Sequence, residues 1–151
     1  MAISKELQNR LKELSEDIDE KSKEKKAAVI GINHTTFSKI YNYGIVPRTP
    51  ALITIADYFN VSVEYLMGVS DDEYFSKSRN PKKFTERLEE LMAENKIKTI
   101  YRLSQDVLIH RNNVRQWYTA DCLPLFEDLR AMAVYFEVSV DYLLGRTDDR
   151  K

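Results

Sequence analysis

Two stretches of the chain lack acidic side chains and contain residue types that could bind a polyanion. The first covers residues 25–56, and the second covers residues 107–120 and contains Arg111 and Arg115. A surface that faces the phosphates of a nucleic acid must exclude carboxylates, because like charges repel each other across the contact. The two windows therefore indicate a phosphate-facing surface.

Residues suited to other kinds of chemistry do not form a recognisable pattern. His34 and His110 are not spaced with Cys122 or with carboxylates in the way that metal ligands are. A catalytic site would need a nucleophile with a base, paired carboxylates or a glycine-rich phosphate loop, and none is visible in a chain with four glycines. We therefore expect no metal, no cofactor and no enzymatic activity, and no small-molecule ligand is evident.

The overall composition is nearly neutral. The 151 residues have a net charge of −1 and a pI of about 6.2, which speaks against nucleic-acid binding unless the distribution of charges matters more than their sum.

Cys122 is the single cysteine, and no apolar run approaches the roughly 20 residues of a membrane span. The first seven residues contain no apolar signal core. We expect a cytoplasmic protein that does not contact membranes.

A segment of the chain occurs twice. Residues 58–68, YFNVSVEYLMG, return at 135–145 as YFEVSVDYLLG, and the same shift of 77 positions carries Pro47 onto Pro124 and Leu52 onto Leu129. An internal repeat of this kind predicts two similar domains, at 1–70 and 83–149, with a polar linker at 71–82. Because domains this small are marginally stable alone, we expect them to pack together or to dimerise.

Apolar periodicity and capping residues predict five short helices in each repeat. In the first repeat these are an apolar stripe from Leu7 to Ile18, then residues 27–31, 34–41, 52–59 and 62–67. In the second they are a stripe from Phe84 to Leu91, then residues 100–107, 111–118, 129–136 and 139–145. Lys23 and Lys26 stand where the second repeat has Ile100 and Leu103, which leaves open where helix two of the first repeat begins. No segment is typical of a strand.

This arrangement, with helices two and three joined by a tight turn and a Pro-led fourth helix, resembles the lambda-repressor-like, Cro-type helix-turn-helix domain of bacterial and phage regulators. The closing residues 60–68 and 138–149 resemble the ending common in that family. The resemblance covers about 5–68 and 82–149 and implies an all-α fold of two tandem five-helix domains. It also implies a sequence-specific DNA-binding transcriptional regulator, by family habit a repressor, that binds double-stranded DNA as a homodimer or as an intrachain pseudo-dimer.

In this family the first residues of the third helix, and those one turn later, face the major groove. In this sequence these positions hold His34, Thr35, Ser38 and Lys39, and Arg111, Asn112, Arg115 and Gln116. Their chemistry suits base reading, since Arg and Lys pair with guanine, Asn and Gln pair with adenine, and a Thr methyl contacts thymine. Four neighbours are expected to cap the helices or to contact phosphates: Asn33, Thr36, His110 and Asn113. The inward positions of these helices are expected to be core: Phe37, Ile40, Val114 and Trp117.

Several alternatives remain open from the sequence. The polar residues of either third helix could be an ordinary solvated face, and Lys21, Lys23, Lys25 and Lys26 could bind phosphates or simply be solvated. The family often has glycine after the recognition helix, where this chain has Tyr43, with Gly44 one position later, and Ala120. The competing function is a protein-interaction or antitoxin-like module in which one or both recognition helices no longer bind DNA.

Overall fold

The computed structural model describes residues 2–151 and divides into two compact units. Unit 1 ends at Phe75, and unit 2 comprises Ser76–Lys151. Within residues 2–151 the regular structure is helical, and the β-type pairing is an isolated antiparallel bridge between Ile3 and Ile45.

Unit 1 contains five helices. They are α1 (Lys5–Ser15), α2 (Lys23–Ile30), α3 (His34–Tyr43), α4 (Thr49–Phe59) and α5 (Val63–Leu66). Side chains of Ser4, Ser22, Asn33 and Ser62 accept hydrogen bonds from backbone N–H groups in the first turns of α1, α2, α3 and α5. These caps satisfy donors that have no partner within the helix, and they fix where each helix begins.

Unit 2 also contains five helices. They are α6 (Phe84–Glu94), α7 (Ile100–Val107), α8 (Arg111–Thr119), α9 (Phe126–Phe136) and α10 (Val140–Leu143). Helices α7 to α10 each begin 77 positions after α2 to α5. The sequence shift of 77 is therefore also the shift between four pairs of helix starts.

Each unit has its own apolar core, formed by the inward stripes of its helices. In unit 1 the fully buried side chains include Leu7, Leu11, Phe37, Leu52 and Ile55. In unit 2 they include Leu88, Leu103, Val114, Leu129 and Met132, which lie on α6 to α9. Spacings of three and four residues place these side chains on one face of each helix.

The first helix is shorter than the apolar stripe predicted. Ile18 lies outside α1, which ends at Ser15. The N–H of Glu16 bonds to the carbonyl of Glu13 at 3.3 Å, and the N–H of Ile18 bonds to that of Ser15 at 3.2 Å. These bonds span three residues instead of four, so the backbone tightens and leaves the α-helical path.

The second helix begins earlier than residue 27. The Oγ of Ser22 accepts a hydrogen bond from the N–H of Lys25 at 3.1 Å, so the lysine-rich segment forms the first turn of α2. Its first residue, Lys23, corresponds to Ile100, the first residue of α7. The difference between lysine and apolar residues at these positions does not shift the helix.

An arginine stacked on a tyrosine ties the first helix of each unit to the last. The guanidinium of Arg10 lies 4.0 Å from the ring centroid of Tyr65, and that of Arg87 lies 3.8 Å from the ring centroid of Tyr142. Both pairs are related by the shift of 77. A guanidinium over an aromatic face is attracted by the ring quadrupole and keeps its charge partly desolvated.

The segment between α5 and α6 is attached at both ends. In unit 1, Arg10 forms an ion pair with Asp71 at 3.1 Å, and the hydroxyl of Tyr65 donates to Glu73 at 3.3 Å. In unit 2, the hydroxyl of Thr147 donates to the carbonyl of Ser76 at 2.7 Å. Part of the polar connector therefore belongs to each unit.

Candidate nucleic-acid interface

A three-residue turn joins α2 and α3 in unit 1. Gly31 ends α2 in the left-handed conformation with φ 100°, and the N–H groups of Gly31 and Ile32 both bond to the carbonyl of Ala27 at 2.9 and 3.0 Å. Asn33 then caps α3. Two helices joined by such a turn have the helix-turn-helix arrangement. In DNA-binding proteins that use this arrangement, the second helix lies in the major groove.

The same geometry joins α7 and α8 in unit 2, but without glycine. Leu108 occupies the left-handed position with φ 59°, and the N–H of Ile109 bonds to the carbonyl of Ser104 at 3.0 Å. The side chain of Leu108 is 91% exposed, whereas Ile109 is buried. A leucine therefore adopts a backbone conformation that L-residues other than glycine rarely adopt.

The predicted side chains of α3 lie on the solvent side of that helix. His34, Thr35 and Lys39 are exposed, and Ser38 is half-buried. The opposite face is core, as expected, since Phe37 is fully buried. The helix therefore presents one polar face with Lys39 as its full charge.

The predicted side chains of α8 lie on its solvent side without exception. Arg111, Asn112, Arg115 and Gln116 are all exposed. Trp117 is 4% exposed and packs edge-on against Phe84 with ring centroids 5.4 Å apart, so it is a core residue as predicted. The arrangement brings two guanidinium groups and two amide-bearing side chains to one face of one helix, where they could bind base edges.

Two of the four predicted capping residues are caps. Asn33 Oδ1 accepts from the N–H of Thr35 at 2.7 Å, and His110 Nδ1 accepts from the N–H of Asn112 at 3.1 Å. Thr36 and Asn113 are the third residues of α3 and α8. Thr36 is half-buried and Asn113 is exposed. Because both caps leave further N–H groups at the helix start, these termini can attract phosphate oxygens.

The lysines near α2 differ in their surroundings. Lys23 Nζ donates to Asn42 Oδ1 at 2.7 Å and lies 4.7 Å from the ring centroid of Tyr41, so it contacts the end of α3 instead of being freely solvated. Lys26 is half-buried, whereas Lys21 and Lys25 are exposed. The exposed pair is thus the part of this group best able to reach a phosphate.

The loops that follow α3 and α8 each contain a left-handed residue, one position later than Tyr43 and Ala120. Gly44 caps α3 with φ 68°, and Asp121, which is 77 positions further on, has φ 51°. A Cβ on Gly44 would lie 2.7 Å from the carbonyl oxygen of Ser4, so glycine is required there by space as well as by conformation. In unit 1 the glycine that directly follows Tyr43 takes this conformation, and in unit 2 Asp121 takes it at the equivalent position.

An acidic side chain lies close to the polar face of α8. Asp128, in the first turn of α9, shares the lining of a small cavity of about 170 Å³ with Asn113 and Gln116. Burial, and then the charge of Glu127, raises the pKa of Asp128. This carboxylate, outside the acid-free window, is an electrostatic feature that the sequence pattern did not identify.

Two further classes of site are not indicated by the described part of the chain. Among residues 2–151, no three His, Cys, Asp or Glu side chains come together in an arrangement that could hold a metal ion. In the same residues, no helix has both the length and the apolar character needed to cross a membrane.

Comparison with known proteins points to one half of the chain. Residues 87–149 match the family model of the Cro/C1-type HTH DNA-binding domain. This range runs from the middle of α6 to the residues after α10 and includes all of α7 and α8. No curated protein and no solved structure is detectably similar to the chain. The family match supports a DNA-binding regulator.

Proposed function

We propose that this protein is a sequence-specific transcriptional regulator, a repressor, that binds double-stranded DNA through α8 and α3. One observation carries the proposal. Within the range that matches the Cro/C1-type domain, α8 follows a helix-turn-helix turn and exposes Arg111, Asn112, Arg115 and Gln116 on one face. Those side-chain types can form bidentate contacts with guanine and adenine in the major groove.

The proposal extends to unit 1 as a second, duplicated domain of the same type. Support comes from the shift of 77 between the starts of α2 to α5 and α7 to α10, and from the two arginine–tyrosine stacks. The acid-free window of unit 1 includes all of α3. The twelve residues of the proposed DNA-binding surface are Asn33, His34, Thr35, Thr36, Ser38, Lys39, His110, Arg111, Asn112, Asn113, Arg115 and Gln116.

A second function is favoured by two different observations. The net charge is −1, and α3 has a single full charge, Lys39, on its exposed face. This low positive charge fits a protein-interaction or antitoxin-like module in which one or both recognition helices no longer bind DNA. The two functions predict a different dependence of DNA affinity on salt concentration.

A salt titration distinguishes these functions. A DNA-binding regulator neutralises phosphates and releases counterions, so the logarithm of its affinity for mixed-sequence DNA should fall steeply and linearly with the logarithm of salt concentration. Lys25→Ala should make that slope shallower by about one. An affinity for DNA that is absent at low salt, or that does not change with salt, would favour the interaction module.

A further inference from the structure

Unit 2 contains a cavity of about 480 Å³ that the proposed DNA contacts do not use. Its walls come from α6, from the turn after it, from the start of α7 and from the last turn of α8. Tyr118 of α8 lies among the apolar side chains of Met92, Ile97 and Ile100, with the carboxylate of Glu89 also in the lining. The volume falls within the range of about 300–1,000 Å³ that is usual for small-molecule sites.

In unit 1, the side chains beside the equivalent tyrosine are two lysines. Tyr41 is 77 positions before Tyr118. The Nζ of Lys12 lies 5.2 Å from the centroid of the Tyr41 ring, and the Nζ of Lys23 lies 4.7 Å from it. Two ammonium groups, one from α1 and one from α2, thus lie within cation–π distance of this aromatic ring.

Unit 2 has no lysine at either of the two equivalent positions. The positions of Lys12 and Lys23 are occupied by Glu89 and Ile100, so one ammonium is replaced by a carboxylate and the other by an apolar side chain. Burial, and then the charge of Glu89, raises the pKa of Tyr118 to about 12. At the two positions equivalent to Lys12 and Lys23, unit 2 therefore has one negative charge and one apolar side chain instead of two positive charges.

We propose that the cavity beside Tyr118 binds a small organic cation, an ammonium ion with apolar substituents. The cation would take the place of the missing lysine side chains, with its charge between the Tyr118 ring and the Glu89 carboxylate. Its apolar part would contact Met92, Ile97 and Ile100. Aromatic rings recognise alkylated ammonium ions through the ring quadrupole, and an adjacent carboxylate strengthens the attraction.

One further charged group lines the cavity. Lys98 is exposed and belongs to the turn between α6 and α7. Its ammonium would oppose a bound cation and favour an anion, so the sign of the preferred ligand is the sharpest test of the proposal. The test contains no DNA, and its outcome is thus separate from that of the proposed function.

Three isosteric probes separate charge from shape. Choline, its neutral carbon analogue 3,3-dimethylbutan-1-ol and the anion 3,3-dimethylbutanoate are titrated into the isotopically labelled full chain, and backbone amide shifts of α6, α7 and α8 are followed by NMR. We expect choline to bind with a Kd on the order of millimolar and to shift amides around Tyr118 and Glu89. The neutral analogue should bind roughly three- to ten-fold more weakly, as expected for the loss of one cation–π and one ionic contact.

Variants drawn from unit 1 test the location. Glu89→Lys combined with Ile100→Lys recreates the pair found at Lys12 and Lys23, so the unit should fold and its own lysines should fill the site and abolish choline binding. Glu89→Gln keeps the shape and should weaken choline binding roughly two- to five-fold, from the loss of the ionic contact alone. Glu127→Gln removes a carboxylate of α9 outside the cavity and should have no effect.

The outcomes are decisive in both directions. Equal binding of choline and the neutral analogue, preference for the anion, or undiminished choline binding by the folded double variant would each overturn the proposal. If the double variant fails to fold, the comparison of Glu89→Gln with Glu127→Gln decides instead. Equal affinity of those two variants for choline would reject the site.

Discussion

The proposed base reading by α8 depends on the chemistry of a few exposed side chains. Arg111 has a guanidinium with paired donors suited to guanine O6 and N7, and Gln116 has an amide suited to adenine N6 and N7. Neither has a core role, since the inward positions of α8 are occupied by Val114 and Trp117. Their loss should change recognition without changing the fold.

Substitution of these residues should relax specificity at single base pairs. Arg111→Ala and Gln116→Ala should each lose about 1–3 kcal/mol of discrimination at one position of the operator, whereas Lys25→Ala should weaken binding to all sequences alike. Competition binding against a set of single-base operator variants measures this difference. Unchanged base preference in both alanine variants would show that α8 does not face the groove as proposed.

The carboxylate of Asp128 should oppose DNA binding. It lies beside Asn113 and Gln116, close to where phosphates would approach α8. Asp128→Asn should therefore tighten DNA binding roughly two- to five-fold, the size of one weak surface charge interaction. The increase should be the same for all sequences and should shrink at high salt, which a salt series on two unrelated DNA fragments would reveal. Glu127→Gln is the matched control for a general change in net charge.

The same residue gives a pH dependence of stability. Because burial raises the pKa of Asp128 in the folded state, the folded chain holds this proton more tightly than the unfolded chain does. The ionised carboxylate of Asp128 therefore destabilises the fold at pH values above its pKa in the folded state. This destabilisation disappears as the pH falls below the pKa of the unfolded chain, about 3.9. Asp128→Asn should raise the free energy of unfolding at pH 7 and have little effect near pH 3. A stabilisation that grows as the pH falls would contradict this account.

At the scale of the elements, the two turns differ in the residue that takes the left-handed conformation. Gly31 and Leu108 occupy equivalent left-handed positions, and Leu108 is almost fully exposed. A left-handed conformation costs a residue with a Cβ about 1–2 kcal/mol, and an exposed leucine recovers little of this by packing. The turn of unit 2 is therefore strained.

Opposite substitutions at the two turns should have opposite effects. Leu108→Gly should raise the free energy of unfolding of unit 2 by about 0.5–1 kcal/mol, because relief of the backbone strain exceeds the added entropy of glycine in the unfolded chain. Trp117 is the single tryptophan and lies in unit 2, so its fluorescence during urea unfolding measures this. Gly31→Ala should instead destabilise by about 1 kcal/mol, although its Cβ has ordinary space beside Thr54. If Leu108→Gly lowers stability, the exposed leucine has a packing role.

The sequence predicted most helices because capping residues and apolar spacing act locally. Ser22 was not recognised as a cap because the lysine-rich segment after it lacks an apolar stripe, and Ile18 was included in α1 because it fits the stripe. The left-handed conformations of Leu108 and Asp121 could not be predicted from the sequence, because neither position holds a glycine. The cavity beside Tyr118 depends on Glu89 and Ile100, which are distant in sequence and come together only in the folded unit.

At the scale of the whole molecule, the two proposed readout surfaces share no residue. His34, Thr35, Ser38 and Lys39 correspond to Arg111, Asn112, Arg115 and Gln116, whereas the segments 58–68 and 135–145 are closely similar. Identical recognition helices of a homodimer read a palindrome with half-sites about 34 Å apart. Two unlike helices in one chain should instead read two unlike half-sites.

The operator of a single chain should therefore be asymmetric. Footprinting combined with native mass measurement of the bound complex tests this directly. One chain on a non-palindromic site is the result expected for an intrachain pseudo-dimer. The twelve-residue linker at 71–82 could reach roughly 40 Å when fully extended, which exceeds one turn of DNA. The bonds of Asp71 and Ser76 to their own units shorten the free part of this linker. Two chains on a palindrome read by only one unit would contradict the pseudo-dimer.

Sequence-specific DNA binding is the central claim, and selection of bound fragments from random double-stranded DNA at moderate salt tests it most directly. The full chain should enrich a defined motif, and Arg111→Ala should lose or relax one position of that motif while keeping the others. The same selection with Lys25→Ala should return an unchanged motif with lower recovery. If the unmodified chain enriches no sequence, the regulator function is wrong. If the unmodified chain enriches a motif and Arg111→Ala enriches the same one, Arg111 of α8 does not read the operator.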